Sequence, residues 1–313
     1  MTREGAALQA GRVYRKAAAL HDLSKRDRSV MNETVLEQQS AGHAERPLVD
    51  LDAYFARIGY RGPRTPTLET LRALHELHPA AIPFEAMDVL LGRGIDLDPA
   101  AVDAKLIDAK RGGYCHEHNG LFKRVLRTLG FEVENLMGRV VWMVPPASPL
   151  PRGHAALRVT IDGERWLADV GFGGCVPTSP LRMTTSEAQP TRHESFRLVP
   201  SPDGFMLEAL RGDTWLPMYE LVERPQFDVD LAMMNWFTAT HPESVFKRAL
   251  MAARTTPEAR YGLRDNRLTV RHADGKTEHR ALSAAEVEQA LEQVFKLPVE
   301  PVWRDVIARF APA

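Results

Sequence analysis

The stretch RGGYCHEHNGLF, residues 111–122, has a cysteine two positions after a pair of glycines and at the head of an amphipathic run. Gly112 and Gly113 can adopt backbone angles that other residues avoid, so they suit a tight turn that leads into a helix. Apolar residues then recur with helical spacing and predict a helix from about Cys115 to Leu129. Its apolar face comprises Leu121, Phe122, Val125, Leu126 and Leu129. Cys115 would lie in the first turn of this helix and face inward.

Cys115 has two interpretations in this position. An isolated cysteine is usually a small buried hydrophobic residue with a structural role. At the start of a helix, however, free N–H groups and the helix dipole favour the thiolate, and with a nearby cation they lower a thiol pKa from about 8.5 toward about 3.5 to 7.5. The catalytic interpretation therefore requires a basic partner elsewhere in the chain.

That partner is predicted in the segment HAALRVTIDGERWLADV, residues 154–170. Asp162-Gly163 is typical of a two-residue type I′ hairpin turn, which pairs Ile161 with Glu164 and brings Asp169 opposite Ala156. Because side chains alternate along a strand, His154 and Asp169 then share a face as diagonal neighbours, about 7 to 8 Å apart between backbones. A carboxylate at this distance can orient an imidazole.

A cysteine nucleophile needs a base that a third group holds in one tautomer. Cys115, His154 and Asp169 fit these roles and are the predicted catalytic residues. Each could instead be structural, and a hairpin register shifted by one residue would separate the last two. The sequence CHEH, residues 115–118, also offers metal ligands, but helical residues one and three apart converge poorly and no second pair has zinc-type spacing. We predict no bound metal.

The composition restricts the class of protein. The chain has 313 residues, a formal net charge of −1 and two cysteines, Cys115 and Cys175. A near-neutral balance argues against nucleic acid or a membrane surface as partner. Two cysteines are too few for a disulfide framework, and no apolar run reaches the roughly 18 residues of a membrane span. We therefore expect a cytoplasmic protein that acts on small molecules.

The hydrophobic periodicity divides the chain into three parts after a polar start. Residues 1–47 lack a convincing apolar stripe and are predicted to be a flexible extension. Helical spacing continues to about residue 130, with Thr67 as an N-cap and a helix that follows it as far as Pro79. From Phe131 short strand-like runs predict an antiparallel sheet or barrel. The last part is mixed, with a hairpin over residues 267–282 and a helix that begins after Ser283.

The motif at the cysteine is similar to a family signature, since RGGYCHEHN resembles the RGGxCxExN sequence of the arylamine N-acetyltransferases. Four further segments resemble the family's in the same order: residues 82–90, 154–174, 177–183 and 234–246. The likeness covers about residues 48–313. Ala86, Met87 and Ala239 depart from the family's Asn, Leu and Ser, which affects the expected substrate preference rather than the chemistry.

The resemblance implies an α+β fold in three parts. A helical bundle over residues 48–130 would carry the cysteine, and a central antiparallel β-barrel over residues 131–240 would carry the histidine and aspartate. A helical linker and an α/β lid would occupy residues 241–313. Residues 1–47 have no counterpart in the family pattern.

The resemblance also implies ping-pong acetyl transfer from acetyl-CoA through an acetyl-cysteine to an arylamine, hydrazine or N-hydroxyarylamine. A macrolactam-forming amide synthase of the same fold, a cysteine hydrolase and a binding protein with an inactive triad are the alternatives. We expect a monomer or a weak homo-oligomer.

The loop before His154, VPPASPLPRGH, is the predicted site of acetyl-CoA. Arg152 and Gly153 are the candidate contacts to its pantetheine or phosphates, although Arg152 could be an ordinary solvated side chain. Phe84, Phe172 and Phe227 are candidates for the acceptor pocket, with a role in the core as the alternative.

Overall fold

A computed structural model describes residues 49–142 and 150–311. The predicted N-terminal extension and most of the predicted acetyl-CoA loop lie outside these residues. The described chain begins with helices, which are α1 (Leu51–Ile58), α2 (Leu68–Ala81), α3 (Met87–Leu90), α4 (Pro99–Asp103) with a π-helical turn (Ala104–Asp108), and α5 (Cys115–Thr128). A short strand, β1 (Phe84–Glu85), lies among them.

The ends of helix α2 show one confirmed and one wrong prediction. Thr67 caps its start, with its hydroxyl oxygen 3.3 Å from the N–H of Thr70. The helix does not stop at Pro79 but continues to Ala81. Pro79 lies in the last turn, where its missing N–H removes a single hydrogen bond, to the carbonyl of His75.

The two glycines before helix α5 are needed for space rather than for unusual backbone angles. Neither has a positive φ. A Cβ atom on Gly112 would lie 2.1 Å from the carbonyl oxygen of Pro83, and one on Gly113 would lie 2.8 Å from a carboxylate oxygen of Glu117. The turn packs this closely because Gly113 pairs with the backbone of Phe84. Strand β1 therefore fixes the start of helix α5.

Eight antiparallel strands form a nearly closed barrel with the order β5-β4-β3-β2-β9-β8-β7-β6. These strands are β2 (Glu132–Val140), β3 (His154–Ile161), β4 (Glu164–Ala168), β5 (Leu181–Arg182), β6 (Gln189–Pro190), β7 (Ser195–Ser201), β8 (Gly204–Arg211) and β9 (Thr214–Val222). Ile161 pairs with Glu164, and Asp162 and Gly163 have φ values of 51° and 77°. The predicted register of the β3–β4 hairpin is confirmed.

This hairpin separates two hydrophobic cores. Leu157 and Val159 pack with the helices, whereas Ala156 and Leu167 pack inside the barrel. His154 shares the barrel-side face of Ala156 because residues two apart on a strand point the same way. The hairpin thereby places the predicted base where strand β3 meets helix α5.

The rest of the described chain forms a second sheet with helices against it. Helices α6 (Asp228–Thr240) and α7 (Val245–Arg248) precede strands β10 (Met251–Thr255), β11 (Ala259–Arg264), β12 (Arg267–His272) and β13 (Thr277–Ala281), and helices α8 (Ala284–Gln293) and α9 (Trp303–Phe310) follow. The sheet order is β1-β10-β11-β12-β13. The predicted hairpin and the helix capped by Ser283 are both present.

Helix α6 lies within the segment that the sequence assigns to the barrel. The last barrel strand ends at Val222, and residues 228–240 are helical. The proposed domain boundary at residue 240 stays a prediction. None of the helices in residues 49–142 and 150–311 combines the length and the apolar character that crossing a membrane requires.

Candidate active site

Cys115 is the first residue of helix α5 and its side chain is buried, with 4% exposed. Its Sγ lies 3.7 Å from the carbonyl oxygen of Gly153, the residue before strand β3. The loop after Asp169 also packs against it, since a Cβ on Gly171 would lie 2.8 Å from the Cα of Cys115. The helix start, strand β3 and this loop therefore meet at the sulfur.

His154 and Asp169 form a buried ion pair beside Cys115. The Nε2 atom of His154 lies 2.7 Å from the Oδ2 atom of Asp169. Burial by itself lowers the pKa of His154, but the Asp169 carboxylate and the Cys115 sulfur outweigh burial and raise that pKa to about 10. The pKa of Asp169 falls below its usual value because the opposing effect of burial is exceeded by His154 and by other donors. The imidazole is therefore charged at neutral pH.

The Asp169 carboxylate accepts four hydrogen bonds. Oδ2 accepts from His154 and, at 2.8 Å, from the hydroxyl of Tyr219. Oδ1 accepts from the side-chain amide of Asn119 at 3.0 Å and from the N–H of Gly171 at 2.9 Å. A buried charge is tolerated when it is hydrogen-bonded in this way. The carboxylate is fixed in one orientation and presents one oxygen to His154.

Asn119 also ties the two hairpin strands to helix α5. Its amide nitrogen donates to the carbonyl of Ala155 at 2.7 Å, and its oxygen accepts from the N–H of Val170 at 3.1 Å. Sequence analysis assigned no role to Asn119. Tyr219 was missed because its strand, β9, was not recognised.

His75 in helix α2 supports Asp169 from the backbone side. The N–H of Asp169 donates to Nε2 of His75 at 3.1 Å, so the proton of this imidazole lies on Nδ1. Burial is the main cause that lowers the pKa of His75 to about 4. His75 therefore stays neutral and acts as an acceptor.

A second set of imidazoles runs through the helical core; we call Tyr54, His78 and His118 the histidine ladder. Nε2 of His118 donates to the carbonyl of Pro83, so its Nδ1 accepts from Nε2 of His78 at 2.8 Å. Nδ1 of His78 then accepts from the hydroxyl of Tyr54, also at 2.8 Å. Burial lowers the pKa of His118 to about 4 and that of His78 well below its usual value. The ladder is neutral, and the Pro83 carbonyl sets its tautomers.

The CHEH side chains do not converge on one point. His118 belongs to the histidine ladder, whereas His116 packs on the ring of Tyr114 with a centroid distance of 5.3 Å. Within the part of the chain that the structure describes, no group of three or more His, Cys, Asp or Glu side chains is placed to hold a metal ion.

An ion network supports the turn before Cys115. Arg111 pairs with Glu85 at 2.7 Å and with Asp88 at 3.0 Å. Lys105 pairs with Asp88 and with the buried Glu117, both at 2.7 Å. Glu117 in turn accepts from the N–H of Tyr114, the residue before the cysteine. The arginine and glutamate of the RGGxCxE motif therefore hold the turn that presents Cys115.

The C-terminal segment also contacts this network. Glu300 lies 3.1 Å from Arg111, and the ring centroid of Trp303 lies 4.7 Å from the same guanidinium. Glu300 lies just before helix α9, and Trp303 is the first residue of that helix.

The candidate acetyl-CoA residues have different surroundings. Gly153 adjoins the sulfur of Cys115 through its carbonyl oxygen. Arg152 is partly exposed and pairs with Asp203 at the surface.

The three candidate phenylalanines also differ. Phe172 meets the ring of His154 edge-on at 5.3 Å and packs on Tyr219. Phe84 stacks on His118 with a centroid distance of 6.4 Å. Phe227 is 76% exposed and lies immediately before helix α6. The structure thus brings Phe172 to His154 and leaves Phe227 on the surface.

Cys175 lies in a different setting. It is buried in the barrel core, and its Sγ lies 3.3 Å from a guanidinium nitrogen of Arg211. Burial raises the pKa of this thiol. Cys115 is therefore the cysteine that adjoins His154.

The chain is similar to known proteins along most of its length. A sequence-family model described as N-acetyltransferase matches residues 67–304. The arylamine N-acetyltransferase of Mycobacterium tuberculosis H37Rv is 45% identical over 258 residues, covering 81% of this chain and 91% of the relative. That of Escherichia coli K12 is 45% identical over 208 residues, covering 66% and 74%.

Solved structures show the same fold. The M. tuberculosis arylamine N-acetyltransferase matches with a TM-score of 0.79 and 44% identity over 82% of this chain and 99% of that chain. The Mycobacterium marinum arylamine N-acetyltransferase in complex with CoA matches with a TM-score of 0.80 and 41% identity over 84% and 100%. The chain belongs to the arylamine N-acetyltransferase family.

Proposed function

We propose that this protein is an arylamine N-acetyltransferase that moves acetyl groups from acetyl-CoA to aromatic amines through Cys115. The observation that carries the proposal is the buried His154–Asp169 pair, 2.7 Å apart, beside a cysteine at a helix start. The names of the relatives and the CoA complex of the M. marinum enzyme support the choice of donor and acceptor.

The proposed resting state is a thiolate–imidazolium pair. His154 stays protonated at neutral pH because Asp169 raises its pKa to about 10. The imidazolium and the free N–H groups of the first helical turn stabilise the negative sulfur. Asp169 fixes the imidazole, and Asn119, Gly171 and Tyr219 fix Asp169.

In the first half-reaction the Cys115 thiolate attacks the thioester carbonyl of acetyl-CoA. The carbon–sulfur bond to CoA breaks, acetyl-Cys115 forms, and CoA leaves as a thiol after it takes the proton from His154. We assign the backbone N–H of Cys115 as a donor to the oxyanion that develops, since the first amides of a helix have no partner within the helix.

In the second half-reaction neutral His154 acts as the general base. It accepts the proton of the amine nitrogen as this nitrogen attacks the acetyl carbonyl, and the Cys115 thiolate is then expelled. The amide product leaves, and the charged pair is restored. An uncharged arylamine suits this step because it enters the site without losing a proton first.

The substrate contacts are also proposals. Phe172 supplies an apolar wall beside His154, and Phe84 extends this apolar surface along helix α5. We place the pantetheine of acetyl-CoA along Gly153, whose carbonyl faces the sulfur. Arg152 is a surface cation that would exchange Asp203 for a CoA phosphate. Phe227 is a less direct candidate because it is exposed.

Acetylation of the intact protein tests this function. After incubation with acetyl-CoA, intact mass and peptide mapping should show one acetyl group on Cys115, and addition of an arylhydrazine should remove it with formation of the hydrazide. The Cys115→Ser variant should remain unmodified and inactive while it keeps the wild-type unfolding temperature.

Three results would contradict the proposal. Acetylation of Cys115→Ser would exclude this sulfur as the nucleophile. Loss of the acetyl group to water at the same rate with and without the amine would indicate a cysteine hydrolase. Reaction with a carrier-bound acyl chain but not with acetyl-CoA would indicate an amide synthase.

A further inference from the structure

Helix α6 presents apolar side chains to water along one face. Val229, Met233 and Trp236 are 72%, 69% and 67% exposed, and Ala232 between them is also exposed. These residues are three and four positions apart, so they lie on one side of the helix; we call the four of them the outer stripe. A surface helix normally turns its apolar face toward the core and its polar face toward water. Helix α6 has the reverse arrangement.

Polar contacts on the other side of helix α6 attach it to the protein. The side-chain oxygen of the buried Asn235 accepts a hydrogen bond from the hydroxyl of Tyr114. At the start of the helix, the carboxylate of Asp228 accepts from Lys123 and, at 2.7 Å, from the side-chain amide of Asn135. These bonds hold the helix on helix α5 and strand β2. The outer stripe is therefore not needed to keep the helix in place.

The exposed apolar area suffices for a weak protein interface. Together with Phe227, which directly precedes the helix and is 76% exposed, the outer stripe presents roughly 500 Å² of apolar surface, because an aromatic side chain alone offers about 150 to 250 Å². A stable interface covers about 800 Å² on each partner, and transient interfaces cover less. An apolar surface of this size on a soluble protein often marks a binding site.

The outer stripe is complementary to itself when two copies of the helix run antiparallel. With a two-fold axis between positions 232 and 233, Val229 would face Trp236 of the second copy, and Ala232 would face its Met233. Each large side chain then meets a smaller one, which allows the two helices to pack closely. In a parallel pair, Trp236 would meet Trp236 and Met233 would meet Met233, so the small residues would face gaps.

The charges at the two ends of helix α6 favour the same arrangement. Asp230 lies in the first turn of the helix. At the other end, the ammonium nitrogen of Lys247 lies 3.4 Å from the carbonyl oxygen of Thr240, the last helical residue. An antiparallel pair brings the acidic start of one helix toward the basic end of the other, and it also sets the two helix dipoles in opposite directions. Both effects attract the second copy.

We propose that two copies of this chain form a two-fold symmetric dimer through the outer stripes of their α6 helices. Each copy removes the exposed apolar side chains of the other from water, which supplies the driving force. Because the apolar area is small, the dissociation constant is expected in the micromolar range. The interface does not include Cys115, His154 or Asp169, so the dimer stands apart from the proposed acetyl transfer.

Sedimentation equilibrium of the full chain tests the dimer. Between about 1 and 200 µM, the average mass should rise from that of one copy toward that of two. Met233→Glu should lower the association constant by at least about tenfold, because it places a carboxylate from each copy beside the two-fold axis. Val302→Glu changes an exposed apolar residue outside the stripe and should associate like wild type. Unfolding temperatures of both variants verify that they are folded.

Disulfide trapping tests the orientation of the two helices. In Ala232→Cys the introduced thiols of the two copies lie beside the axis, so oxidised glutathione should convert the protein to a covalent dimer. Val229→Cys is the matched control, since its two thiols would lie about 10 Å apart along the helix direction and should not join. The native thiols of Cys115 and Cys175 are buried, and peptide mapping identifies the cysteines that are linked.

Three outcomes would overturn the proposal. The first is a wild-type chain that stays monomeric up to about 200 µM, which would assign the outer stripe to a different partner. The second is a Met233→Glu variant that associates as strongly as wild type, which would place any dimer interface elsewhere. The third is equal disulfide formation in Ala232→Cys and Val229→Cys, which would exclude the antiparallel pair.

Discussion

His154 and the histidine ladder hold imidazoles that are similarly buried, yet His154 is charged and the ladder is neutral. Burial favours the neutral form in both places. His154 contacts the ionised Asp169, whereas His78 and His118 contact each other, a phenol and a backbone carbonyl. The difference teaches that a carboxylate in contact with a buried imidazole outweighs the lowering of its pKa by burial. Neutral partners do not oppose this lowering.

The largest expected effect, a loss of catalytic rate, comes from a substitution that would make His154 neutral like the imidazoles of the histidine ladder. Asp169→Asn removes the negative charge but keeps the shape, so the pKa of His154 should fall below its usual value and the thiolate should lose its counter-ion. By analogy with serine triads, kcat should fall on the order of 10⁴-fold. Steady-state kinetics with acetyl-CoA and an arylhydrazine measure this loss, with the unfolding temperature as a check on folding. A rate near that of wild type would contradict the role of Asp169.

The next effect concerns stability within the ladder. His78→Phe keeps an aromatic ring but leaves the Tyr54 hydroxyl and Nδ1 of His118 without partners, and each buried unpaired group costs about 1 to 3 kcal/mol. Tyr54→Phe is the matched control and should cost about half as much, because only one buried group, His78 Nδ1, loses its partner. Urea unfolding at pH 7.5 measures both. An equal loss of unfolding free energy in both variants would show that the hydrogen bond between His78 and His118 adds no stability.

The two regions should also respond oppositely to pH. The folded-state pKa values of His75 and His118 are about 4, below the unfolded value of about 6.5, so their stability contribution is present above pH 6.5 and is lost as the pH falls toward 4. His154, with a folded-state pKa of about 10, contributes stability that is complete below pH 6.5 and is lost as the pH rises toward 10.

Urea unfolding between pH 4.5 and 9.5 tests this opposition. Each histidine contributes at most about 1.4 kcal/mol per pH unit. His78→Phe should weaken the pH dependence of the free energy of unfolding on the acid side by the equivalent of one bound proton. Asp169→Asn should remove the fall in this free energy on the alkaline side. An unchanged acid slope in His78→Phe would mean that the ladder is protonated in the folded protein.

The smallest effect is expected at the second thiol. Cys175 is buried, and Arg211, its neighbouring cation, is already paired with Glu194. Cys175→Ala should therefore leave kcat within about twofold of wild type and cost at most a few kcal/mol of stability. Iodoacetamide should modify Cys115 first in the wild type, as peptide mapping would show. An inactive Cys175→Ala variant that remains folded would contradict the choice of Cys115.

The sequence predicted those parts of the site that depend on local pattern. Asp162-Gly163 and the alternation around it define the hairpin register, and the apolar stripe of helix α5 defines the burial of Cys115. The support of Asp169 could not be predicted because His75 and Tyr219 are 94 and 50 residues away along the chain. Local periodicity carries no information on such contacts.

The unpredicted parts of the fold have a similar cause. Strand β1 has two residues and pairs with a strand that begins at Met251, so no local signal distinguishes it from a loop. The role of Gly112 was misassigned for the same reason, since the neighbouring atom is the carbonyl of Pro83 in another segment.

The pairing of strand β1 with strand β10 has a consequence for the order in which the enzyme matures during synthesis. Phe84 and Glu85 support the turn before Cys115, but their partners are Ala252 and Ala253. A nascent chain that has emerged only as far as the barrel already contains Cys115, His154 and Asp169 but lacks these partners. Strand β1 therefore gains its partner only after residues 252 and 253 have been synthesised, so the turn before Cys115 receives this support late in folding.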